Sequence, residues 1–279
     1  MRQKGLWIAL LIIALVVVAF FVTTEKNEGG YTVAVVTGTT FEKEARQFPG
    51  VSQVKLYEDD NQTLTELANG RVDAVITDRL VALTGIKKGG YENLKLAGDL
   101  LYYETIAVAL GKGNDALRQA INTALKEIIA DGTYEKISRK YFDADILQGV
   151  ERTITSPGEP GAADDSWEKA KKRGVLSFAM SGGYPPFNYY NEKNELTGFD
   201  VEIAQAVCDR LGVRYEPVTT AWDGIIEGLR AGRYDGVWGS MAITEERQKI
   251  VDFTDPYYVS GAQLVVRKDS PITGAESLR

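Results

Sequence analysis

The chain of 279 residues contains no histidine and a single cysteine, Cys208. Without histidine there is no imidazole for a Ser-His-Asp triad or for the usual zinc sets, and one cysteine cannot close a disulfide within the chain. Cys208 lies in a stretch of helical periodicity, where a small buried apolar side chain is the ordinary reading. Basic residues are the minority, with 32 Lys and Arg against 39 Asp and Glu, a net charge of -7. An acidic chain with no basic cluster excludes attachment driven by a nucleic-acid backbone, which needs Lys and Arg to displace counterions. No metal or cofactor set can be assembled from the motifs, so no cofactor is expected.

What is present fits a globular α/β protein. The apolar fraction is 44% and the charged fraction 25%, near the globular average, and 28 glycines supply turns. The length suits two lobes of about 100 to 150 residues each. Only one long apolar run occurs, Leu6 to Val22, preceded by Arg2 and Lys4 and followed by polar TTEKNEGG. This is the pattern of a signal peptide or signal anchor at residues 1–25. The best cleavage candidate, Val17-Val18-Ala19, falls inside the apolar run, which favours an uncleaved anchor with everything beyond it outside the cytoplasm.

Strand, loop and helix units recur along the chain. YTVAVV from Tyr31 to Val36 reads as a buried strand that TGTT turns into a helix near Phe41. VLSFAM from Val175 to Met180 reads as a second strand, and Gly198 to Gly212 bounds a helix with Ile203, Val207 and Leu211 on one face. LANGRVDAV from Leu67 aligns without gaps on LRAGRYDGV from Leu229, a short internal repeat that places Asp78 and Ser240 at equivalent strand ends. Ligands in open α/β sheets bind at the carboxyl ends of strands. Asn114 to Phe142 has two helical patterns. The Pro/Gly-rich stretch between Asp143 and Asp165 reads as a linker.

An amino-acid zwitterion needs a guanidinium for its carboxylate and a carboxylate for its ammonium. Arg247, in the first turn of a helix starting near Thr244, is a candidate for the first; a solvated helix charge is the alternative. Asp78 is a candidate for the second, or equally an N-cap for the next helix. The hydroxyls of TGTT, Thr39 and Thr40 among them, read either as ligand contacts or as an ordinary turn with a cap. Tyr184 and Trp222, in a loop and at a helix start, are candidates to flank a ligand. Trp238 is equally placed for core or cleft.

Together, GGYPPFNYYNEKNELTGFDVEIAQAV, AWDGIIEGLRAGRYDGVWGSMAITEERQKIVDFTDPYY, VAVVTGTTFE, GRVDAVITD, LYYETIAVAL and DGTYEKISRKYF resemble the family 3 bacterial solute-binding proteins over nearly everything after residue 30. The resemblance implies a two-lobed periplasmic-binding-protein-like type II α/β fold with Rossmann-like lobes. It implies an extracytoplasmic protein of the periplasm or cell surface that captures a polar amino acid for an ABC-type importer. A monomer, a permease partner and no enzymatic activity follow. A tethered amino-acid sensor is the alternative, and a cyclohexadienyl or arogenate dehydratase on the same scaffold a more distant one.

Carried over residue by residue, the resemblance gives Arg247 the α-carboxylate, helped by Thr40 and the backbone at Ala242. Asp78 and the Ser240 region take the ammonium, and the rings of Tyr184 and Trp222 sandwich the ligand. Ser181 stands where several relatives that bind cationic or amide side chains carry an acid, so its neutrality argues against a Lys, Arg or His ligand. Thr77 and Phe41 fall at side-chain-selecting positions. The order of the halves departs from the family, because the GGYPPF half follows the TGTT half, as in a circular permutation. The implied division is 31–103 as lobe 2, 104–142 as a crossing strand and helices of lobe 1, 143–165 as linker and 166–267 as the main part of lobe 1. The tail, 268–279, is expected to dock back on lobe 2.

Overall fold

A computed structural model describes residues 29–147 and 164–279. The apolar run at 6–22 and most of the Pro/Gly-rich linker lie outside the described residues. No helix among the described residues is long and apolar enough to cross a membrane.

The strands are β1 (Tyr31–Val36), β2 (Val51–Tyr57), β3 (Ala74–Asp78), β4 (Leu94–Gly111), β5 (Val175–Met180), β6 (Gly183–Tyr184), β7 (Asn188–Tyr190), β8 (Leu196–Thr197), β9 (Arg214–Thr219), β10 (Gly236–Ala242), β11 (Val251–Phe253) and β12 (Tyr258–Arg267). The helices are α1 (Thr40–Ala45), α2 (Asp60–Ala68), α3 (Arg79–Lys88), α4 (Asp115–Ala130), α5 (Thr133–Phe142), α6 (Ser166–Arg173), α7 (Phe199–Leu211), α8 (Ile225–Arg230) and α9 (Glu245–Gln248), with a short 3-10 turn at Ala275–Leu278.

One sheet runs in the order β2-β1-β3-β12-β4-β10-β5-β9, with β11 on β4. β1 to β3 pair in parallel on one side, and β5 with β9 and β10 on the other. Such strands are buried on both faces, which is why YTVAVV and VLSFAM read as nearly unbroken apolar runs. The two halves meet through β4 and β12, which run antiparallel to each other. β12 pairs through Ala262–Val266 with Asp78–Ala74 of β3, while β4 pairs through Ile106–Leu110 with β10. Two long strands therefore join the halves, each longer than its sequence pattern showed.

The α4 periodicity buries Leu117, Ile121, Leu125 and Ile128 against Ile203 and Val207 of α7, placing α4 and α5 with the β5 half. Trp238 is fully buried, edge-on to Phe178 at 5.2 Å, which settles it as core. Cys208 is buried too.

The tail after β12 packs on the β1 half. Ile272 and Leu278 are buried among Val33, Val35, Ala74 and Ile76. The Gly50 N–H donates to the Leu278 carbonyl at 2.7 Å, and the Tyr31 N–H donates to the Gly50 carbonyl, also at 2.7 Å. The first strand and the last turn are thereby held side by side. Gly50 has to lack a side chain here, since a Cβ would sit 2.7 Å from the Leu278 oxygen.

Candidate functional site

The strand ends and helix starts converge on one cleft. Thr39, Asp59, Asp78 and Thr244 are the N-caps of α1, α2, α3 and α9, each with a side-chain oxygen accepting from a first-turn N–H. At the mouth the halves touch. Lys43 Nζ lies 2.8 Å from Glu246 Oε1 across the cleft. A Cβ on Gly183 would fall 2.7 Å from Asp59 Cβ of the other half. That glycine is what lets the 181–184 loop lie flat against the start of α2.

Between the halves lies a cavity with about 490 Å³ of non-atom space, part of it open to solvent. From the β1 half, Thr39, Thr40 and Phe41 line it. From the other come Ser181, Tyr184, Trp222, Ser240, Ala242 and Arg247. All but two of the sequence candidates are therefore brought together.

The two exceptions are Asp78 and Thr77. Asp78 is 1% exposed, and its Oδ1 accepts from the Leu80 N–H at 2.7 Å and the Val81 N–H at 3.4 Å. Its carboxylate caps α3, the alternative its position after a strand had left open, and it is not among the cavity-lining residues. Burial pushes its carboxyl up to about 7, against an opposing hydrogen bond from Ser260. Thr77 is fully buried and its hydroxyl is spent on Asp60 Oδ1. Its side chain supports a neighbour and does not face the cavity.

The sequence reading missed the acids of the lining, Glu58, Asp59, Asp60 and Glu104. Glu104, on β4, accepts from the Thr40 hydroxyl. Burial raises its pKa, opposed by that hydrogen bond and by the charge of Arg247. Arg247 is the single cation of the lining. Its Nη1 donates to the Ala242 carbonyl at 2.8 Å and its guanidinium carbon stands 5.8 Å from the centre of the Trp222 ring. Burial lowers its pKa, and Glu104 is the carboxylate whose charge most opposes that shift. No carboxylate of the described residues pairs with it, so its remaining N–H groups are available for an anion.

A buried network fixes the floor. Asp200 Oδ2 accepts from the Ser240 hydroxyl and from Asn188 Nδ2, both at 2.8 Å, and Oδ1 accepts from the Tyr257 hydroxyl at 2.7 Å. Asn188 Oδ1 in turn accepts from the Ser181 hydroxyl at 3.1 Å and the Gly182 N–H at 2.9 Å. Ser240 adopts a left-handed φ of 59°, and its hydroxyl is turned into this network. Ser181 and Ser240 thus shape the cavity wall with backbone and loop position while their hydroxyls bond inward. Tyr184 stacks on Phe187 at 5.2 Å, which holds its ring at the cavity edge. Among the described residues no cluster of acidic or cysteine side chains is arranged to hold a metal ion.

Two α/β halves flanking one cavity, with a guanidinium that no carboxylate pairs and the buried acids Asp60 and Glu104 in its lining, define a periplasmic-binding-protein-like solute-capturing protein. A family model bears this out: the chain matches the bacterial extracellular solute-binding proteins, family 3, over residues 21–144 and 176–277, and belongs to that family. Curated relatives include the L-cystine-binding protein TcyJ of Escherichia coli (strain K12), 40% identical over 113 residues, 40% of this chain and 42% of the relative. The probable amino-acid-binding protein YxeM of Bacillus subtilis (strain 168) is 43% identical over 121 residues, 42% of this chain and 46% of the relative. The ABC transporter arginine-binding protein 1 of Escherichia coli (strain K12) is 38% identical over 101 residues, 36% of this chain and 42% of the relative. Each alignment therefore spans less than half the length of the relative. Among solved structures, the arginine-bound form of domain 1 from TmArgBP is 34% identical, covering 39% of this chain and 94% of that one, with a TM-score of 0.32. The ancestral amino-acid-binding protein AncCDT-1, a precursor of cyclohexadienyl dehydratase, is 43% identical, covering 33% of this chain and 40% of that one, with a TM-score of 0.32.

Proposed function

We propose that the protein captures an amino acid between its two lobes outside the cytoplasm and delivers it, as a monomer, to an ABC-type permease. One observation carries this reading: the Arg247 guanidinium is held in the cavity by Trp222 and the Ala242 carbonyl, yet has no carboxylate partner of its own. A half-buried guanidinium with no ion-pair partner is incompletely compensated, and an incoming anion completes it. The α-carboxylate of an amino acid does so bidentately. Glu104 is then the acid for the α-ammonium, in place of Asp78, whose Oδ1 is occupied by the α3 cap. Glu104 as charge partner and Asp78 as helix cap are both accounted for without acid-base catalysis. Names such as L-cystine-binding and arginine-binding among the relatives support the ligand class. Family membership supports a periplasmic or extracellular place of work, with residues 6–22 proposed to tether the chain to the membrane.

The order of the two halves is read as a circular permutation. The adjacency of Tyr31 and Leu278, both bonded to Gly50, supports it, since segments that follow one another in the family's order have to lie side by side.

A thermal-shift panel with the twenty amino acids tests the function. A ligand bound only by the folded state raises the melting temperature, and at 100 times its Kd the added stability is about 2.7 kcal/mol. A rise with one amino acid or a chemically related set is expected. No shift with any of them contradicts the reading.

A further inference from the structure

The lining is unbalanced in charge, and the imbalance says something about the ligand's side chain. This inference rests on the amino-acid reading above. A bound zwitterion uses Arg247 for its carboxylate and Glu104 for its ammonium. Three acids are then left over: Glu58, Asp59 and Asp60. They differ in what their oxygens do. Glu58 is exposed at the rim. Asp59 has both oxygens engaged by Gln62, Oδ1 by the backbone N–H at 2.9 Å and Oδ2 by the side-chain Nε2 at 3.1 Å.

Asp60 is another matter, being only 4% exposed and yet part of the cavity wall. Its Oδ1 accepts from the Thr77 hydroxyl, and no hydrogen bond among the described residues reaches Oδ2. A carboxyl taken out of water and left with an open oxygen on a ligand cavity is an unfavourable arrangement by itself. It becomes favourable when a cation arrives on the cavity side.

We propose that Asp60 is the specificity-determining acid of the cleft, and that the ligand is an amino acid whose side chain ends in an ammonium or guanidinium. Thr77, fully buried behind it, holds the carboxyl in place and so acts as a positioning residue. The neutrality of Ser181 no longer argues against such a ligand, because the acid comes from the opposite wall. Burial pushes the Asp60 carboxyl up to about 7, with the Thr77 bond opposing and the charge of Asp59 adding to the rise. Glu104, Arg247 and the Tyr184 phenol share the cavity with it. At pH 6 the free protein therefore holds a proton on Asp60 that an incoming cation has to displace.

The test compares L-arginine with L-citrulline, which has nearly the same shape and no side-chain charge, in titration calorimetry on the wild type and on Asp60→Asn. Arginine is expected to bind at least about 100-fold more tightly than citrulline to the wild type, the scale of a buried charge pair. In Asp60→Asn that ratio should fall to about tenfold or less. Retained citrulline binding shows that the variant is folded. Repeating the wild-type titration at pH 6 in buffers of different ionisation enthalpy should show close to one proton released per arginine bound, and the variant should release markedly less. Citrulline binding as tightly as arginine to the wild type overturns the proposal and leaves the amino-acid reading standing. So does an arginine-to-citrulline ratio, or a proton release, that is the same in both proteins. Failure to bind any amino acid overturns the functional reading itself.

Discussion

Replacing Arg247 with Met is expected to lower amino-acid affinity on the order of 100- to 1000-fold while the fold persists. The effect is large because the guanidinium is the single cation of the lining, so its loss leaves the ligand carboxylate with no charged partner in the cavity. Stability should change little. α9 is capped by the Thr244 hydroxyl, which accepts from the backbone N–H of residue 247 at 3.1 Å and does not depend on the side chain. The methionine also retains a hydrophobic contact with Trp222. Arg247→Lys should recover only part of the affinity, since an ammonium offers a point charge where the guanidinium offers a fork. Calorimetric titration with the tightest ligand of the panel, run beside a melting curve, separates the two effects. Affinity within about threefold of the wild type in Arg247→Met would remove the residue from the ligand site.

Deleting the tail from Ser270 to Arg279 is the second large expected effect, and it falls on stability. The deletion uncovers the β1 half where Ile272 and Leu278 are now buried, and leaves Gly50 without its partner carbonyl. Burial of two such side chains contributes about 3 to 6 kcal/mol. For a protein of this size, that is a fall in melting temperature on the order of 10 °C. Because β12 joins both halves and the tail anchors its end, ligand affinity should fall as well. Gly50→Ala, which would press a Cβ against the Leu278 carbonyl, should reproduce part of the loss with the tail still present. An unchanged melting curve for the deletion would show that the tail does not hold the first and last strands together.

Arg247 and the tail differ in how far they were legible in advance, as do the elements around them. The strands YTVAVV and VLSFAM, the α4 and α7 faces, and the caps at Thr39 and Thr244 carry local signals, because strand burial, helical period and capping are short-range. Their convergence was readable only through the family resemblance, which brought Thr40, Tyr184, Trp222 and Arg247 to one cavity. Asp78 was assigned to the ligand, although a carboxylate directly after a strand and before a helix also has the chemistry of a cap, and in the structure that is where its Oδ1 goes. Asp60 and Glu104 escaped because nothing around them in sequence marks them. Asp60 sits in the run of acids at the start of α2, where solvation is the ordinary fate. Glu104 sits in LYYETIAVAL, a strand whose apolar residues dominate the pattern. Their significance comes from Thr77 and Thr40, 17 and 64 positions away, and from the opposite wall of the cleft. The Asp200 network is similar: Asn188, Ser240 and Tyr257 reach it from three separate stretches of the chain. Burial pushes its carboxyl up to about 6 against the opposing hydrogen bonds of that network, a shift that no local sequence signal announces.

On the proposed function, an amino acid lies in the cavity with its α-carboxylate on Arg247 and its α-ammonium on Glu104. A crystal structure of the protein with its tightest-binding amino acid tests this directly. Both carboxylate oxygens are expected at about 2.7 to 2.9 Å from the Arg247 guanidinium nitrogens, with the halves closed over the ligand. A ligand bound elsewhere, or in this cavity with its carboxylate turned away from Arg247, would contradict it.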